Sequence, residues 1–439
     1  MRPSLHNLLC MRSLRIFMPA LIAIFSASSS ASEVRLAGSD GNIPLTYFGM
    51  HMHRADTTTA WPAAHFGAWR LWDTHAMWVD LEPSRGDWRF DRLDKLVELA
   101  ERHGVEPMLT LGVTPKWAAS RPDELFVYGY GGNSPPRDMR DWENYVRTVA
   151  TRYKGRIKYY ELWNEPTFDE IDKGRGYYAG SAKTMVELGR VAWRVIKSID
   201  PDNKLISPGF TGEGERLDLY LSLGGKDITD VVAHHFYADL PEKQPGLVKQ
   251  VRAVMARHGL ADRPLWNTEA GYWPPRTGEV LGRSWPRNEY DLASYIARIL
   301  TLSAASGIDR FYWYSWELTM LRRDERVQSV SALAAYTQTL RWLNGATVKS
   351  CESPDRSLWI CELALGNRQA RIVWNTDGTR QWTPPAGWRV AQYETLDARV
   401  VESGAQAALT LDTSPVLVKS DRALWSLYKP AARGKRDER

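Results

Sequence analysis

The sequence predicts an α/β fold, a barrel of eight parallel strands with helical crossovers, followed by a smaller β-sandwich. Up to residue 345, short apolar runs that end in polar residues alternate with amphipathic stretches. Such alternation favours parallel strands joined by helices, and eight units over about 300 residues match a (β/α)8 TIM barrel with insertions. After residue 345 the chain changes to short β-rich runs separated by turns, which is typical of a β-sandwich.

Eight segments qualify as barrel strands because each is short and apolar and ends in polar or turn-forming residues. The helices between them show the complementary pattern. In residues 90–104, apolar side chains recur at i, i+3, i+4 and i+7 from Leu93, and Gly104 follows as a carboxy-terminal cap. We therefore assign residues 32–345 to the barrel. The strand candidates are residues 45–53, 68–73, 105–112, 157–165, 204–209, 230–237, 264–272 and 309–317.

Residues 346–428 form the predicted β-sandwich, which the strand-like residues 33–37 are able to join. Two cysteines in this part of the chain, Cys351 and Cys361, flank a turn-like segment. In an oxidising compartment this spacing indicates a hairpin disulfide, and two free buried thiols are the alternative. The polar tail, residues 429–439, is predicted to be disordered.

Residues 1–31 have the composition of a secretory signal peptide. Three arginines, Arg2, Arg12 and Arg15, precede an apolar run at residues 16–25, and small residues follow it. The run is too short to span a bilayer stably. We therefore expect a secreted or periplasmic protein without stable membrane insertion after cleavage of the signal, and retention by an uncleaved amino-terminal anchor is the alternative.

The charge balance argues against one class of partner. The formal net charge of +5 falls to +2 without residues 1–31 (5 − 3 = 2), because that segment holds three arginines and no acidic residue. Such a near-neutral surface gives no reason to expect nucleic acid as a partner. We expect a monomer.

Two glutamates stand at the carboxy-terminal ends of predicted barrel strands. Glu165 ends the fourth strand candidate, and Glu269 lies near the end of the seventh, 104 residues later (269 − 165), which is about three βα units. A TIM barrel builds its active site at these strand ends, so the two carboxylates should face each other across the barrel mouth. Retaining glycoside hydrolysis needs such a pair, one carboxyl to protonate the leaving oxygen and one to attack the anomeric carbon.

The run "ELWNEP" at residues 161–166 resembles the acid/base motif of glycoside hydrolase clan A, whose members are retaining (β/α)8 barrels. The resemblance implies that Glu165 is the acid/base and Glu269 the nucleophile. Residues 140–166 and the appended β-sandwich look most like family 39, which includes β-xylosidases, α-L-iduronidases and endoglycosidases of bacterial exopolysaccharide clusters. The resemblance covers most of residues 42–345. It implies an oligosaccharide or polysaccharide substrate with β-glycosidic bonds and no cofactor.

The same resemblance implies further site residues. Arg70 resembles the second-strand arginine that steadies the nucleophile, and Asn164 the asparagine that contacts the sugar 2-hydroxyl. His235 and Tyr237 resemble the sixth-strand histidine and tyrosine beside the nucleophile, and Trp316 the eighth-strand tryptophan under the reactive sugar. By their chemistry, Arg70 and Tyr237 are suited to donate hydrogen bonds that keep a carboxylate ionised and aimed.

Aromatic residues in the predicted βα loops are candidates for sugar subsites, because aromatic faces stack on sugars as readily as they pack in ordinary cores. Trp78, Trp117 and Trp273 occupy such loops. For each of them, lining a subsite and packing are equally favoured interpretations.

Other polar residues near the predicted mouth also have two interpretations. His51 is suited to hydrogen-bond substrate or to fill the barrel interior. Glu161 lies deeper on its strand than Glu165 and is predicted to be an interior ion-pair partner, with Arg70 as the candidate partner. Asp73 is equally compatible with a subsite and with an ordinary polar loop.

Two other functions compete with the glycosidase interpretation. The His-x-His run at residues 51–53 is able to ligate a metal in hydrolases of the amidohydrolase kind. The eighth strand candidate has no aspartate at its carboxy-terminal end and the fourth ends in Asn-Glu, so we predict no metal site. A non-catalytic glycan-binding barrel would have lost one of the two glutamates, and both are present.

Two long insertions, residues 120–138 after the third strand candidate and residues 273–288 after the seventh, build walls around the predicted mouth. Such walls are compatible with a pocket for exo-cleavage and with a groove for endo-cleavage. The secretory signal, the single ancillary domain and the aromatic loops favour endo-action on a bacterial exopolysaccharide. An exo-acting β-xylosidase-like enzyme is the alternative.

Overall fold

The computed structural model describes residues 34–172, 176–272, 289–320, 332–385, 387–388, 390, 392–402 and 407–419. The predicted signal peptide, residues 1–31, and the predicted tail, residues 429–439, lie outside these described residues. The insertion at residues 273–288 lies outside them as well, and with it the subsite candidate Trp273.

The strands of the barrel follow the apolar runs of the sequence. Each of the eight predicted strand segments contains one barrel strand, and two short strands, β6 and β7, pair with each other beside them. The strands up to residue 313 are β1 (Val34–Leu36), β2 (Phe48–His51), β3 (Ala68–Leu71), β4 (Glu106–Leu111), β5 (Tyr159–Leu162), β6 (Pro166–Phe168), β7 (Tyr178–Gly180), β8 (Lys204–Ile206), β9 (Val232–His234), β10 (Leu265–Ala270) and β11 (Arg310–Trp313).

The barrel strands are all parallel and lie in the order β8-β5-β4-β3-β2-β11-β10-β9. A bridge between Ile206 and Val231 links the two outer strands of this order, so the sheet closes on itself. Strands such as β2, β3 and β10 are buried along their whole length, because helices cover one face and side chains fill the other. The predicted (β/α)8 fold is confirmed.

The connecting helices are amphipathic, and their ends follow from local sequence. They are α1 (Trp78–Leu81), α2 (Asp91–His103), α3 (Met139–Arg152), α4 (Ala182–Ile199), α5 (Glu215–Ser222), α6 (Gln244–Arg257), α7 (Glu289–Ala305) and α8 (Ala332–Leu343). In α2, Asp91 and Asp94 occupy the first turn and Arg102 and His103 the last, which complements the helix dipole, and Gly104 ends the helix with a φ of 66°. Among the described residues, no helix combines the length and the apolar character needed to cross a membrane.

An aromatic cluster around Arg310 fills the amino-terminal end of the barrel. The guanidinium lies 4.3 Å from the ring centre of Trp266 and 4.6 Å from that of Tyr159, and it forms a 2.6 Å ion pair with Glu106. These four residues stand at or next to the starts of β11, β10, β5 and β4, so they share one layer across the barrel. The carboxy-terminal ends of the strands, where TIM barrels carry their active sites, lie at the opposite end.

The carboxy-terminal part folds into two antiparallel sheets. Its strands are β12 (Thr347–Ser353), β13 (Leu358–Leu365), β14 (Arg368–Asn375), β15 (Arg380–Trp382), β16 (Gln392–Glu394), β17 (Val400–Glu402), β18 (Leu409–Leu411) and β19 (Val416–Lys419). The larger sheet has the order β1-β12-β13-β14-β19-β16-β17, so the strand predicted at residues 33–37 does join it. The smaller sheet pairs β15 with β18, and its Trp382 and Leu411 share an apolar core with Val373 and Val418 of the larger one.

Two largely buried glutamates join the barrel to the carboxy-terminal sheet. Glu242 accepts hydrogen bonds of 3.0 Å from Trp374 of β14 and from Arg298 of α7. Glu394 of β16 accepts one of 3.1 Å from Trp342 of α8. These bonds fix the sheet against the last two helices of the barrel.

The two cysteines form a disulfide in the structure, and we predict that it stabilises the carboxy-terminal sheet. Cys351 and Cys361 are paired positions of β12 and β13, with 4.0 Å between their Cα atoms. Replacing both with alanine should lower the free energy of unfolding by about 2–3 kcal/mol, because the unfolded chain loses a crosslink. Denaturant unfolding checks this. Reduced wild-type protein should unfold at the same denaturant concentration as the double variant. A midpoint equal to that of the oxidised wild-type protein in both samples would contradict the prediction.

Candidate active site

The two predicted catalytic glutamates meet at the carboxy-terminal end of the barrel. Glu269 lies in β10, and Glu165 follows β5 by three residues. One carboxylate oxygen of each and a ring nitrogen of His235 all lie within 4.8 Å of one another. The side chain of Glu165 is 25% exposed and that of Glu269 10%, so a molecule bound in the mouth can reach both.

The backbone around Glu165 adopts conformations that residues with side chains rarely take. Trp163 has a φ of 69° and Glu165 a φ of 38°. Neighbouring segments hold both residues in place. The amide of Glu165 donates to the carbonyl of Gly209 at 2.9 Å, and the indole of Trp163 donates to the carbonyl of Tyr177 at 2.8 Å. Strained backbone of this kind persists only where its surroundings fix it, and it clusters at functional sites.

Hydrogen-bond donors cover both carboxylate oxygens of Glu269. Oε2 accepts from Nη1 of Arg70 at 2.7 Å, and Oε1 accepts from the hydroxyl of Tyr237 at 3.0 Å. Donors on both oxygens favour the ionised form of a carboxyl group and fix its direction. Arg70 and Tyr237 thus lie where the sequence places them, next to the proposed nucleophile.

Arg70 is fully buried and holds three partners at once. Besides Glu269, its Nε and Nη2 contact Oε2 of Glu161 at 2.7 and 2.6 Å, and Nη2 donates to Oδ1 of Asn164 at 2.7 Å. Thr110 donates a further hydrogen bond of 2.8 Å to Glu161. Both predicted partners of Arg70, the nucleophile and the interior Glu161, are therefore present. Because Arg70 takes the side-chain oxygen of Asn164, the amide nitrogen is the end that can donate to a sugar hydroxyl.

Glu165 shares a hydrogen bond with His235, whose Nδ1 lies 2.8 Å from Oε1 of the carboxyl group. Burial lowers the pKa of His235 to about 4, so the ring is neutral near pH 7. Burial also raises the pKa of Glu165, and the charge of Asp73 adds to the rise, while Arg70 and Arg216 oppose it. Glu165 therefore keeps its proton to a higher pH than an exposed glutamate does.

The electrostatics of Glu269 differ from those of Glu165. Burial raises the pKa of Glu269 too, and the charge of Glu165 adds to the rise, but Arg70 and the hydroxyl of Tyr237 oppose it. Two carboxyls this close titrate as a pair, so that one proton leaves first and the other stays to a higher pH. Because the direct donors contact Glu269, the first proton leaves that group and the second stays on Glu165. The result is one ionised and one protonated carboxyl.

The same residues are the one group of His, Cys, Asp and Glu side chains, within the described part of the chain, that is close enough to share a metal ion. The group consists of Glu165, His235 and Glu269. Arg70 forms a 2.7 Å ion pair with Glu269, so a cation there would sit close to a buried positive charge. This donor set fits proton transfer better than metal binding.

Two of the predicted subsite tryptophans are packed inside the protein. Trp78 is fully buried, with its ring stacked on Tyr145 at 4.9 Å between centres and its indole nitrogen 2.9 Å from Oε2 of Glu82. Of the two interpretations given for Trp78, the structure shows packing, because α1 turns the side chain toward α3. Trp117 is half-buried, donates to the carbonyl of Glu82 at 2.8 Å and carries the guanidinium of Arg85 on its face at 4.5 Å. Packing therefore describes Trp117 as well.

Two predicted substrate ligands, His51 and Trp316, are buried beside the site. His51 is fully buried and its Nε2 is 3.0 Å from the carbonyl of Thr268, so its position agrees with the barrel-interior interpretation. Trp316 begins a short π-helical turn and is only 3% exposed within the main apolar core. The placement of Trp316 under the reactive sugar therefore stays a prediction.

The sequence-based predictions missed a group of tyrosines at the mouth. Tyr314, the residue after β11, is half-buried, and its hydroxyl donates to Oδ2 of Asp73 at 2.8 Å. Burial, Asp73 and Glu269 all raise the pKa of Tyr314, so its hydroxyl lies in the field of the nucleophile. Tyr128 donates to Asp73 from another loop, and Tyr177 packs against Tyr128. The position of Tyr314 at the end of a strand was a usable signal, whereas Tyr128 and Tyr177 lie in irregular segments that give none.

Comparison with known proteins identifies relatives of the barrel. The profile of the family described as glycosyl hydrolases family 39 matches residues 71–329. A β-xylosidase of Geobacillus stearothermophilus is 25% identical over an alignment of 259 positions, which covers 52% of this chain and 48% of that protein. Endo-1,4-β-xylanase 2 of Claviceps purpurea is 32% identical over 126 residues, 28% of this chain and 35% of the relative. The chain thus spans about half or less of the length of the curated relatives that it matches.

Solved structures show the same fold. A family 39 glycoside hydrolase from Bacteroides cellulosilyticus WH2 superposes with a TM-score of 0.63 at 17% identity, covering 86% of this chain and 81% of the other. A monomeric β-xylosidase from Caulobacter crescentus CB15 superposes with a TM-score of 0.59 at 16% identity, covering 88% of this chain and 97% of the other. At these identities the likeness establishes the architecture, a barrel with an appended β-domain.

We predict that Gly209→Ala destabilises the protein, because the site has no room for a side chain there. A Cβ at Gly209 would lie 2.4 Å from Nε2 of His235 and 3.2 Å from Oε1 of Glu161, both fully buried. The free energy of unfolding should fall by about 1–3 kcal/mol, as measured by denaturant unfolding. Gly246→Ala in α6 is the matched control, because a Cβ there meets no atom within 4 Å. Equal stability of the two variants would contradict the geometry described here.

Proposed function

The chain belongs to glycosyl hydrolase family 39, and from this premise we propose that it is a retaining glycosidase that cleaves β-glycosidic bonds. The observation that carries the proposal is the spacing of Glu165 and Glu269, which have one oxygen each within 4.8 Å. Retaining enzymes hold their two carboxyls about 5–5.5 Å apart, whereas inverting enzymes leave about 6.5–9.5 Å for a water molecule. The short spacing supports direct attack by a carboxylate.

In the first step, Glu269 attacks the anomeric carbon while Glu165 protonates the glycosidic oxygen. The bond between the anomeric carbon and the leaving oxygen breaks, and an ester bond to Glu269 forms. Arg70 and Tyr237 hold the attacking group by its two oxygens, so little reorganisation is needed at the moment of reaction. The leaving saccharide departs with the proton of Glu165.

In the second step, Glu165 acts as a base. It takes a proton from a water molecule, whose oxygen attacks the anomeric carbon and breaks the ester to Glu269. The neutral ring of His235, 2.8 Å from Glu165, suits both protonation states of that carboxyl, since an imidazole can donate to a carboxylate or accept from a carboxylic acid. Both glutamates return to their starting forms.

Asn164 is suited to bind the sugar at its 2-hydroxyl. Its side-chain oxygen is held by Arg70 at 2.7 Å, which fixes the direction of the amide nitrogen one residue before Glu165. A donor fixed in this way strengthens its hydrogen bond as charge develops on the sugar ring. This assignment is part of the proposal.

For the substrate, we favour endo-action on a bacterial exopolysaccharide. The long loop after β4 and the tyrosines around the mouth support a site that extends beyond one sugar. An exo-acting β-xylosidase is the second candidate, and the β-xylosidases of Geobacillus stearothermophilus and Caulobacter crescentus among the similar proteins favour it. Product sizes separate the two, because an endo-enzyme releases a range of oligosaccharides early and an exo-enzyme releases one small product throughout.

We also propose that the protein acts outside the cytoplasm. The signal-like composition of residues 1–31 and the disulfide between Cys351 and Cys361 support this location, since disulfides persist in oxidising compartments. Cell fractionation with detection of the mature amino terminus tests the proposal. Intact protein in the cytoplasm with reduced cysteines would contradict it.

We predict that an activated 2-fluoro-glycoside will form a covalent adduct on Glu269. The fluorine slows both chemical steps, and the activated leaving group restores the first, so the glycosyl-enzyme accumulates. Intact mass followed by peptide mapping of a panel of sugars locates the adduct and names the accepted sugar. Glu269→Ala should be folded, unlabelled and inactive. Labelling elsewhere, or wild-type rates in the variant, would refute the nucleophile assignment.

The pH dependence of kcat/KM should be bell-shaped. Activity falls at low pH as Glu269 gains a proton, and at high pH as Glu165 loses one, with the alkaline limb displaced upward because burial raises the pKa of Glu165. Glu165→Gln, assayed on an aryl glycoside whose leaving group needs no protonation, should lose the alkaline limb and keep the acid limb. An unchanged alkaline limb would exclude Glu165 as the acid.

A further inference from the structure

A carboxylate and two tyrosines connect three of the loops around the barrel mouth. Asp73 lies two residues after β3 in a left-handed conformation, with a φ of 59°. Its Oδ2 accepts the 2.8 Å hydrogen bond from Tyr314, and its Oδ1 accepts one from Tyr128. Tyr314 follows β11, and Tyr128 belongs to the long loop between β4 and α3. We call Asp73, Tyr128 and Tyr314 the mouth clamp.

The mouth clamp contacts the nucleophile side of the site through Tyr314. The ring of Tyr314 lies 5.0 Å from the ring of His51. His51 in turn contacts the carbonyl of Thr268 at 3.0 Å, one residue before Glu269. This end of the clamp is therefore one buried histidine away from the strand that carries the nucleophile.

The mouth clamp contacts the acid/base side through Tyr128. The ring centre of Tyr128 lies 6.0 Å from that of Tyr177, and the carbonyl of Tyr177 accepts the hydrogen bond from Trp163, two residues before Glu165. Trp72 packs edge-on against both tyrosines, at 5.5 and 5.8 Å. The clamp thus connects the loop after β4 to the loop that follows the acid/base.

The loop that carries Tyr128 has two distinct faces. Phe126 and Tyr128 turn inward and share an apolar cluster with Trp72. Leu125 and Val127, which alternate with them, are each 75% exposed. The bond from Tyr128 to Asp73 lies on the inward face, the one that packs against Trp72.

The acceptor in the mouth clamp is an acid rather than an amide, and this strengthens both bonds. Burial and the charge of Asp73 raise the pKa of Tyr128 and of Tyr314, so both phenols remain donors throughout the working range of pH. A hydrogen bond from a neutral donor to an ionised acceptor is about twice as strong as one between neutral groups. One side chain is therefore able to order segments from three loops.

We propose that Asp73 is a positioning residue, which holds the loop of Tyr128 in place as the wall of the substrate site. The inference rests on the proposed glycosidase function and adds a determinant of substrate length to it. Asp73 and Tyr128 bond to each other rather than to either carboxyl of the catalytic pair, so the loss of this bond should weaken the binding of glycans that extend along the wall. Cleavage of a short, activated substrate should be nearly unchanged.

The test uses Tyr128→Phe with Tyr130→Phe as the matched control. Both changes remove one phenol oxygen from the same loop, but Tyr130 is 51% exposed and its ring faces Lys116 rather than the mouth. Asp73→Asn is a second variant, which weakens both bonds of the clamp. Hydrogen–deuterium exchange of residues 120–132 and steady-state kinetics are measured for all four proteins. The substrates are an aryl glycoside and the hexasaccharide of the sugar that labels Glu269.

We expect faster exchange in residues 120–132 for Tyr128→Phe and Asp73→Asn, and no change for Tyr130→Phe. The KM for the hexasaccharide should rise about tenfold or more in the first two variants, as expected for the loss of a hydrogen bond to a charged group, while kcat on the aryl glycoside stays within about twofold. Unchanged exchange, or equal KM values in Tyr128→Phe and Tyr130→Phe, would overturn the inference. Failure of the proposed function shows differently, as wild-type protein that no 2-fluoro-glycoside labels.

Discussion

A fully buried guanidinium organises the active site, because a charge removed from water must be met by partners fixed around it. Arg70 has no exposed surface, and Glu161 and Glu269 both lie in direct contact with it. Its planar fork reaches acceptors from different strands in set directions, which the point charge of a lysine could not do. Glu161 is as important as Glu269 for balancing this charge. It shares the positive charge, so that Glu269 is oriented by Arg70 without being its sole counter-ion.

The barrel and the meeting of the two glutamates could be predicted because both leave local traces in the sequence. Apolar runs of strand length marked all eight strands, and Glu165 and Glu269 stand where two such runs end. The mouth clamp leaves no such trace. Tyr128 lies in an irregular loop, and its partner Asp73 is 55 residues away, so their bond follows only from the way the loops fold together. Trp78 illustrates the same limit, since a loop position does not tell whether an aromatic ring points inward or outward.

The burial of Trp316, after the eighth strand of the barrel, has a specific cause. Side-chain direction alternates predictably only while the chain remains extended. The strand β11 ends at Trp313, and a π-helical turn begins at Trp316, so the parity that relates Tyr312 to Tyr314 does not continue to Trp316. An irregular turn of this type often marks a functional site. Here Trp316 lies in the main apolar core, and Tyr314 donates its hydroxyl to Asp73 at the mouth.

The aromatic cluster around Arg310 has a consequence for the order of events in the proposed mechanism. Because aromatic rings stack on Arg310 at the amino-terminal end of the barrel that the structure describes, substrate and products of the proposed reaction pass through the carboxy-terminal opening. The leaving saccharide has to diffuse out of this opening before an acceptor can approach the glycosyl ester. Water and the hydroxyl groups of nearby glycans then arrive from the same side and compete for the same carbon. In the proposed mechanism, the ratio of hydrolysis to transglycosylation thus depends on the concentration of sugar hydroxyl groups at this opening.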